Sequence, residues 1–189
     1  AKYGEVSNLS LTKIQKISGQ RLQASWINLP HVTQHDLADI TEMEADRLKI
    51  KKLKQYRDIK ISPLAYVIKA CCFVLKDFER INSSLSEDGN SIILKSYINI
   101  GFAADTENGL VVPVIKDVDK KSLIEIAKEL LSLSLKARAG KLSSDEMSGA
   151  TFTISSLGGI GGTAFTPIVN APEVAILGLS RSTTQPVWN

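Results

Sequence analysis

The sequence predicts one α/β (α+β) domain built on a mixed sheet flanked by helices. Segments with helical spacing of apolar residues are interleaved with short β-prone runs, without the strict alternation of a doubly wound fold. The 189 residues suit one domain of ordinary size. Hydrophobic residues make up 43% of the chain, enough for a sizeable core and too many for disorder.

The elements follow in order. Residues 1–10 are polar and read as an arm; residues 11–189 form the domain. Ile14, Ile17 and Leu22 recur at near-helical spacing, so Thr12 to Ser25 is a first helix that Pro30 closes off. His31 to Asp39 alternates weakly and holds β-branched residues, which predicts a strand. Thr41 to Tyr56 is a charged amphipathic helix with Met43, Leu48 and Leu53 facing inward and a capping-box spacing at Thr41 and Glu44. Ser62-Pro63 starts another helix, because proline suits the first helical position and a serine can accept from first-turn amides. That helix, Pro63 to Phe78, is apolar on most faces and should be buried on more than one side.

Asp88-Gly89-Asn90 signals a hairpin between Ser83–Ser86 and Ile92–Leu94. Tyr97 to Ala103 reads as a strand. Asn108-Gly109 turns the chain into Leu110–Ile115, where Pro113 points to an edge or a bulge. Ser122 to Ala137 is strongly amphipathic and ends near Gly140; Ser143 and Glu146 offer another capping box. Thr151 to Ser155, Ala164 to Val169 and Val174 to Leu179 are β-prone, the last a continuous apolar run suited to a central strand.

Composition excludes several functions. A net charge of +3 is mild and unlike a nucleic-acid binder. The lysine-rich runs at 49–54 and 116–121 attract phosphate or form a solvated face and a polar turn; the latter reading is favoured. Cys71 and Cys72 are adjacent, cannot form an ordinary disulfide, and read as small hydrophobes. No apolar run reaches the roughly 20 residues of a membrane span. The expectation is a soluble protein of a reducing compartment, with neither nucleic acid nor membrane as partner.

The most specific local feature is Thr151-Phe-Thr-Ile-Ser-Ser-Leu-Gly-Gly-Ile-Gly-Gly. A dinucleotide loop fails because Ala164 stands where the third glycine belongs and Pro167 prevents a long helix. A strand ending in hydroxyls before a glycine-rich loop can present a serine oxygen to a ligand. It can equally bond its own backbone, and the residues alone leave both readings of Ser155 and Ser156 open. His31 and His35 on a strand lie about 13 Å apart, too far to chelate one ion, so no metal is expected. Either histidine reads as structural rather than as a base. Asp105 anchors a ligand or caps the turn at 105–109.

Three stretches go further. They are Leu29-Pro30-His31-Val32-Thr33; the run Asn99-Ile100-Gly101 through Asp105-Thr106-Glu107-Asn108-Gly109-Leu110-Val111-Val112-Pro113-Val114; and Phe152-Thr153-Ile154-Ser155-Ser156-Leu157-Gly158 through Pro167-Ile168-Val169-Asn170-Ala171-Pro172-Glu173-Val174-Ala175-Ile176-Leu177-Gly178. In that order and spacing they resemble the catalytic domain of 2-oxo acid dehydrogenase acyltransferases, over essentially the whole chain after its first ten residues. The third stretch, with Gln185-Pro186-Val187-Trp188, is similar to the dihydrolipoamide acetyltransferases of bacterial pyruvate dehydrogenase complexes more than to the succinyl or branched-chain members.

The resemblance implies a chloramphenicol acetyltransferase-like fold, a homotrimer with active sites between neighbours, and assembly of trimers into a larger core. It implies acetyl transfer between a lipoyl-lysine thioester and coenzyme A, both as substrates, the lipoyl group on a separate domain, with no metal. Pyruvate dehydrogenase and dihydrolipoamide dehydrogenase would be partners in the full complex, in the bacterial cytoplasm or a mitochondrial matrix. The family's oxyanion donor falls on Ser155. Its coenzyme A contacts fall on Arg47, Ser62, Asp105 and Ser156.

The family's base is a histidine in an Asp-His-Arg motif some tens of residues beyond the tryptophan matched by Trp188. This sequence stops at Asn189, and neither His31 nor His35 takes that place. The expectation is a catalytic domain lacking its C-terminal segment, with little or no transfer by these 189 residues alone. The alternatives are a non-catalytic structural core subunit and, more weakly, a free acyltransferase of the chloramphenicol type. Lipoyl and peripheral-subunit-binding domains would precede Ala1.

Overall fold

A computed structural model describes residues 2–186 and 188; Ala1, Val187 and Asn189 lie outside the described residues. The first helix, α1, spans Lys13–Asn28. Thr12 caps it: its hydroxyl accepts from the Gln15 amide while the Gln15 side chain accepts from the Thr12 N–H, a reciprocal box. The Thr12 hydroxyl also donates to the Asn108 carbonyl at 2.7 Å, which pins the helix start to a distant turn.

The next segment departs from expectation. His31 to Asp39 forms no strand. Among the described residues it pairs with no strand edge, and side-chain bonds such as those of His31 hold the segment instead. Helix α2 spans Thr41–Lys52, followed by a 3-10 turn at Lys54–Tyr56. The capping box at Thr41 and Glu44 does not form. Asp39 accepts from the Thr41 amide, and Glu44 is taken by Arg47. Leu48 and Leu53 are about half exposed rather than inward, at 49% and 48%.

Helix α3, Pro63–Asp77, and helix α4, Leu123–Arg138, make the core with the sheet. Their buried residues recur at spacings of three and four: Ala65, Ile68, Cys72 and Leu75 on α3, and Ile126, Leu130, Leu133 and Ala137 on α4. Contrary to expectation, α3 buries one face only. Phe73 and Val74 are 60% and 50% exposed, because no second layer among the described residues covers that side. Ser62 precedes Pro63, yet its buried hydroxyl bonds no first-turn amide and has no partner among the described residues. Ser122 caps α4 as its sequence suggests, with Glu125 completing the box.

Strands β1 (Ser83–Leu85) and β2 (Ile92–Leu94) form the hairpin around Asp88-Gly89-Asn90. β3 (Ile100–Phe102) is followed by a second hairpin, β4 (Ala104–Thr106) and β5 (Gly109–Val111). Pro113 interrupts the expected run, and the chain resumes as β6 (Val114–Ile115). The remaining strands are β7 (Phe152–Ser156) and β8 (Ile176–Leu179). The main sheet runs β6-β3-β7-β8, antiparallel at β6-β3 and parallel at β3-β7 and β7-β8. Pro113 thus leads into an edge strand, where a missing donor costs nothing.

Two expectations fail here. Ala164 to Val169 is not a strand, and among the described residues β8 is an edge strand, not a central one. All four of its residues are half-buried, with Leu177 and Leu179 against the core and Phe165 over Gly178.

Side chains alternate across β7. Phe152 and Ile154 enter the core under α3 and α4. Thr153 and Ser155 point to the opposite face.

Candidate active site

Ser155 sits at the C-terminal end of β7, beside a β8 strand that runs parallel to it. Its register partner is Gly178. A side chain at Gly178 would meet Phe165 Cζ at 3.0 Å, so Phe165 and Pro167 lie directly over the glycine. Ser155 is half-buried, and among the described residues its hydroxyl makes no hydrogen bond. Of the two readings open for this serine, local backbone capping is therefore not what the hydroxyl does. The loop after β7 offers little cover: Gly161 and Gly162 take φ of 122° and 92°, a region that favours glycine. A cleft of about 530 Å³ lies alongside, bounded by Phe165, Pro167, Ile176, Gly178, His31 and Arg80. Ser156, one residue on, faces the helical side opposite Leu179.

Arg47 and Ser62 come together. The guanidinium forks onto Glu44 with Nη2–Oε2 at 2.7 Å and reaches the Ile61 carbonyl with Nη1 at 3.4 Å, immediately before Ser62. The Glu44 hydrogen bonds, the largest influence, raise the Arg47 pKa against the opposing effect of burial. The orphaned Ser62 hydroxyl lies at the N-terminus of the 15-residue α3. Nearby, Tyr66 donates to Asp46 at 2.8 Å, and burial first, then that bond, pushes its phenol up to about 12.

Asp105 is exposed on β4 opposite Leu110. It does not close the turn at 105–109. Thr106 does, its hydroxyl donating to the Gly109 carbonyl at 2.6 Å. Asp105 lies along the chain just beyond β3, at the same end of the sheet as Ser156. No hydrogen bond among the described residues links Arg47 or Ser62 to Asp105, Ser155 or Ser156, or Asp105 to either serine.

His31 is occupied at both nitrogens. Nδ1 lies 2.7 Å from the Leu29 carbonyl, and Nε2 accepts from the Val169 amide at 2.9 Å. A carbonyl only accepts and an amide only donates, so the ring is the neutral Nδ1–H tautomer with no lone pair to spare. Trp26 lies against it at 5.1 Å between centroids. His35 is exposed. No group of three or more potential metal-ligating side chains gathers among the described residues.

Of the two lysine runs, that at 116–121 pairs internally: Lys116 with Asp145, Lys120 with Asp117 and Lys121 with Glu129.

The family model described as 2-oxoacid dehydrogenases acyltransferase (catalytic domain) matches residues 3–189. The chain belongs to this family. It is 55% identical over 188 residues to the dihydrolipoyllysine-residue acetyltransferase component of the pyruvate dehydrogenase complex of Cupriavidus necator, over 100% of this chain and 34% of that protein. It thus spans about a third of that relative's length. A solved structure of Azotobacter vinelandii dihydrolipoamide acetyltransferase, from a study of a serine, a histidine and an asparagine in its catalytic mechanism, is 53% identical with a TM-score of 0.97, over 100% of this chain and 78% of that one. A structure of the cubic core of the pyruvate dehydrogenase multienzyme complex matches with the same identity, TM-score and coverage.

The mixed sheet flanked by helices is accordingly the catalytic-core fold of the 2-oxoacid dehydrogenase acyltransferases. Three residues that shape the surroundings of Ser155 in this family member are not singled out by sequence reasoning. Gly178 and Phe165 make its flank. Glu173, 2% exposed, lies within the third motif stretch with no role that the residues alone suggest. The only signal it gives in the sequence is that of a lone carboxylate at the head of an apolar run.

Proposed function

We propose that this domain transfers an acetyl group between a lipoyl-lysine thioester and the thiol of coenzyme A, in the core of a pyruvate dehydrogenase complex. The observation that carries the reading is the Ser155 hydroxyl, unpartnered and half-buried at the end of β7 beside Gly178. Its counterpart motif in the family supplies the oxyanion donor.

The chemistry follows. The sulfur of coenzyme A, as thiolate, bonds to the acetyl carbonyl carbon. The carbonyl π pair moves to oxygen, and Ser155 donates a hydrogen bond to that oxyanion. Collapse restores the carbonyl, breaks the bond to the lipoyl sulfur, and leaves a dihydrolipoyl thiolate that takes up the proton. Proton removal from the attacking thiol needs a base. His31 cannot serve, since Leu29 and Val169 use both ring nitrogens. The resemblance gives that role to a histidine beyond Trp188.

Arg47 and Ser62 form one polar station for coenzyme A, where a guanidinium suits phosphate. Asp105 and Ser156 form another. Assembly as trimers within a larger core, with pyruvate dehydrogenase and dihydrolipoamide dehydrogenase bound around it, belongs to the same reading. It is supported by apolar side chains standing free of their own chain: Tyr3 at 92%, Leu9 at 95%, Val32 at 95% and Leu37 at 88% exposure. The compartment would be the cytoplasm of a bacterium or a mitochondrial matrix.

The test is acetyl transfer from acetyl-CoA to dihydrolipoamide by the intact protein that carries this domain. Ser155→Ala is expected to lower kcat by about 100- to 1000-fold while KM for acetyl-CoA changes little. Full activity of that variant refutes the assignment.

A further inference from the structure

The buried carboxyl of Glu173 has no part in the chemistry above. Its Oε1 accepts from Thr153 Oγ1 at 2.9 Å and from Asn170 Nδ2 at 3.2 Å. Its Oε2 is buried without a partner among the described residues. Burying a carboxyl with one oxygen orphaned is costly, whereas a leucine or methionine would leave the buried Thr153 hydroxyl and the Asn170 amide without their acceptor.

Its position does suggest a use. Thr153 precedes Ser155 by one strand repeat and faces the same side of β7. Room for the Thr153 hydroxyl depends on Gly101 in the neighbouring strand, where a Cβ would stand 2.9 Å from Oγ1. Asn170 and Glu173 belong to the loop that feeds β8, and β8 carries Gly178 opposite Ser155. Two further bonds hold that loop: Val169 donates to His31, and the Ala171 amide donates to the buried Ser25 hydroxyl at 3.3 Å. The Thr153–Glu173 bond thus joins the strand that presents Ser155 to the loop that places its flank.

We infer that Glu173 is a positioning residue for acetyl transfer, acting through Thr153 and Asn170 to fix the end of β7 and so the direction of the Ser155 hydroxyl. The inference rests on the oxyanion role proposed for Ser155. A donor contributes only when it meets the oxyanion within a narrow range of distance, and a misplacement near 1 Å costs about 100-fold in rate. What Thr153 and Asn170 need from residue 173 is an acceptor oxygen, which an amide also provides.

The experiment uses the intact protein with acetyl-CoA and dihydrolipoamide. Thr153→Val keeps the shape and removes the hydroxyl. Glu173→Leu removes the acceptor, and Glu173→Gln retains it. Thr153→Val and Glu173→Leu are expected to lower kcat by roughly 10- to 100-fold with KM for acetyl-CoA unchanged, and Glu173→Gln to stay within about threefold of wild type. Introduced beside Ser155→Ala, Thr153→Val should lower kcat no further, because its effect passes through Ser155.

Wild-type kcat per folded molecule in Thr153→Val, with only the thermal midpoint lowered, overturns the inference; so does full additivity with Ser155→Ala. Should Glu173→Leu fail to fold, Thr153→Val and Glu173→Gln decide alone. A fully active Ser155→Ala sinks the oxyanion reading, and this inference with it. A slow Ser155→Ala beside a fast Thr153→Val sinks only this inference.

Discussion

Val169 donates its backbone N–H to Nε2 of His31 at 2.9 Å, across 138 positions of chain. With Nδ1 on the Leu29 carbonyl, the ring is a two-ended brace between the segment after α1 and the loop before β8. His31→Ala should lower unfolding stability by about 1–3 kcal/mol, since a structural amide loses its acceptor. Urea unfolding measures this. Zinc should not bind at His31, because neither ring nitrogen is free; a zinc-dependent rise in the midpoint that His31→Ala abolishes would contradict the tautomer deduced from the bonds.

Gly101 occupies a position where a methyl group has no room. Its Cβ would stand 2.9 Å from both Thr153 Oγ1 and Val112 Cγ1. Thr153 cannot rotate away without giving up Glu173. Gly101→Ala is expected to cost about 1–3 kcal/mol as an overpacked core site. Combining it with Thr153→Ala, which removes the obstructing hydroxyl, should cost less than the sum of the two single changes. Strict additivity by thermal or urea unfolding would show that the strand shifts instead.

Elements whose signals are local are legible in the sequence. Ser122 and Glu125 frame α4, Pro63 starts α3 although the Ser62 hydroxyl caps nothing, and Asp88-Gly89-Asn90 turns the first hairpin. Failures arise where distant partners decide. Val32 and Thr33 have strand propensity, but a strand needs an edge, and His31 fastens the segment by side-chain bonds instead. At α2, a good capping-box spacing loses to Asp39 and Arg47, which claim its two halves. The role proposed for Ser155 comes from its motif, since the hydroxyl and the glycines after it leave two readings open. Glu173 is not legible, because its meaning depends on Thr153, Asn170 and Gly101 from three separate segments.

Arg47 meets a carboxylate before it meets any ligand. Glu44 holds the guanidinium by bonds from both Nε and Nη2. For a phosphate-bearing substrate this pair orients the fork and also adds a repelling charge. Arg47→Ala should weaken coenzyme A binding roughly tenfold. Glu44→Gln should strengthen it by about two- to fivefold at low salt, and the gain should fade as salt rises. Titration calorimetry on the intact protein reads both. Unchanged affinity in Arg47→Ala would remove Arg47 from the coenzyme A contacts.

The Glu173 carboxyl makes folding itself depend on pH. Burial, the largest influence, raises its pKa to about 7 from an ordinary 4.5, against the opposing pull of Thr153, Asn170 and the Lys95 charge. The folded state therefore binds this proton more tightly than the unfolded chain does. The associated stabilisation is complete below about pH 4.5 and is lost as pH rises through about 7. Its size is on the order of 3 kcal/mol, from about 1.4 kcal/mol for each tenfold gain in proton affinity. Urea unfolding of the wild type should thus show stability declining across this window, after allowance for other carboxylates, which gain stability in the opposite direction as they ionise beside partners. Glu146 is such a group, held below its ordinary value first by its bond to Lys136. Glu173→Gln cannot titrate yet keeps an acceptor for Thr153 and Asn170. The difference between the two proteins isolates Glu173: the variant should gain on wild type by a few kcal/mol between about pH 5 and pH 8. Parallel curves for the two proteins would mean that Glu173 ionises in the folded protein as it does in the unfolded chain, and that water or Lys95 reaches its second oxygen.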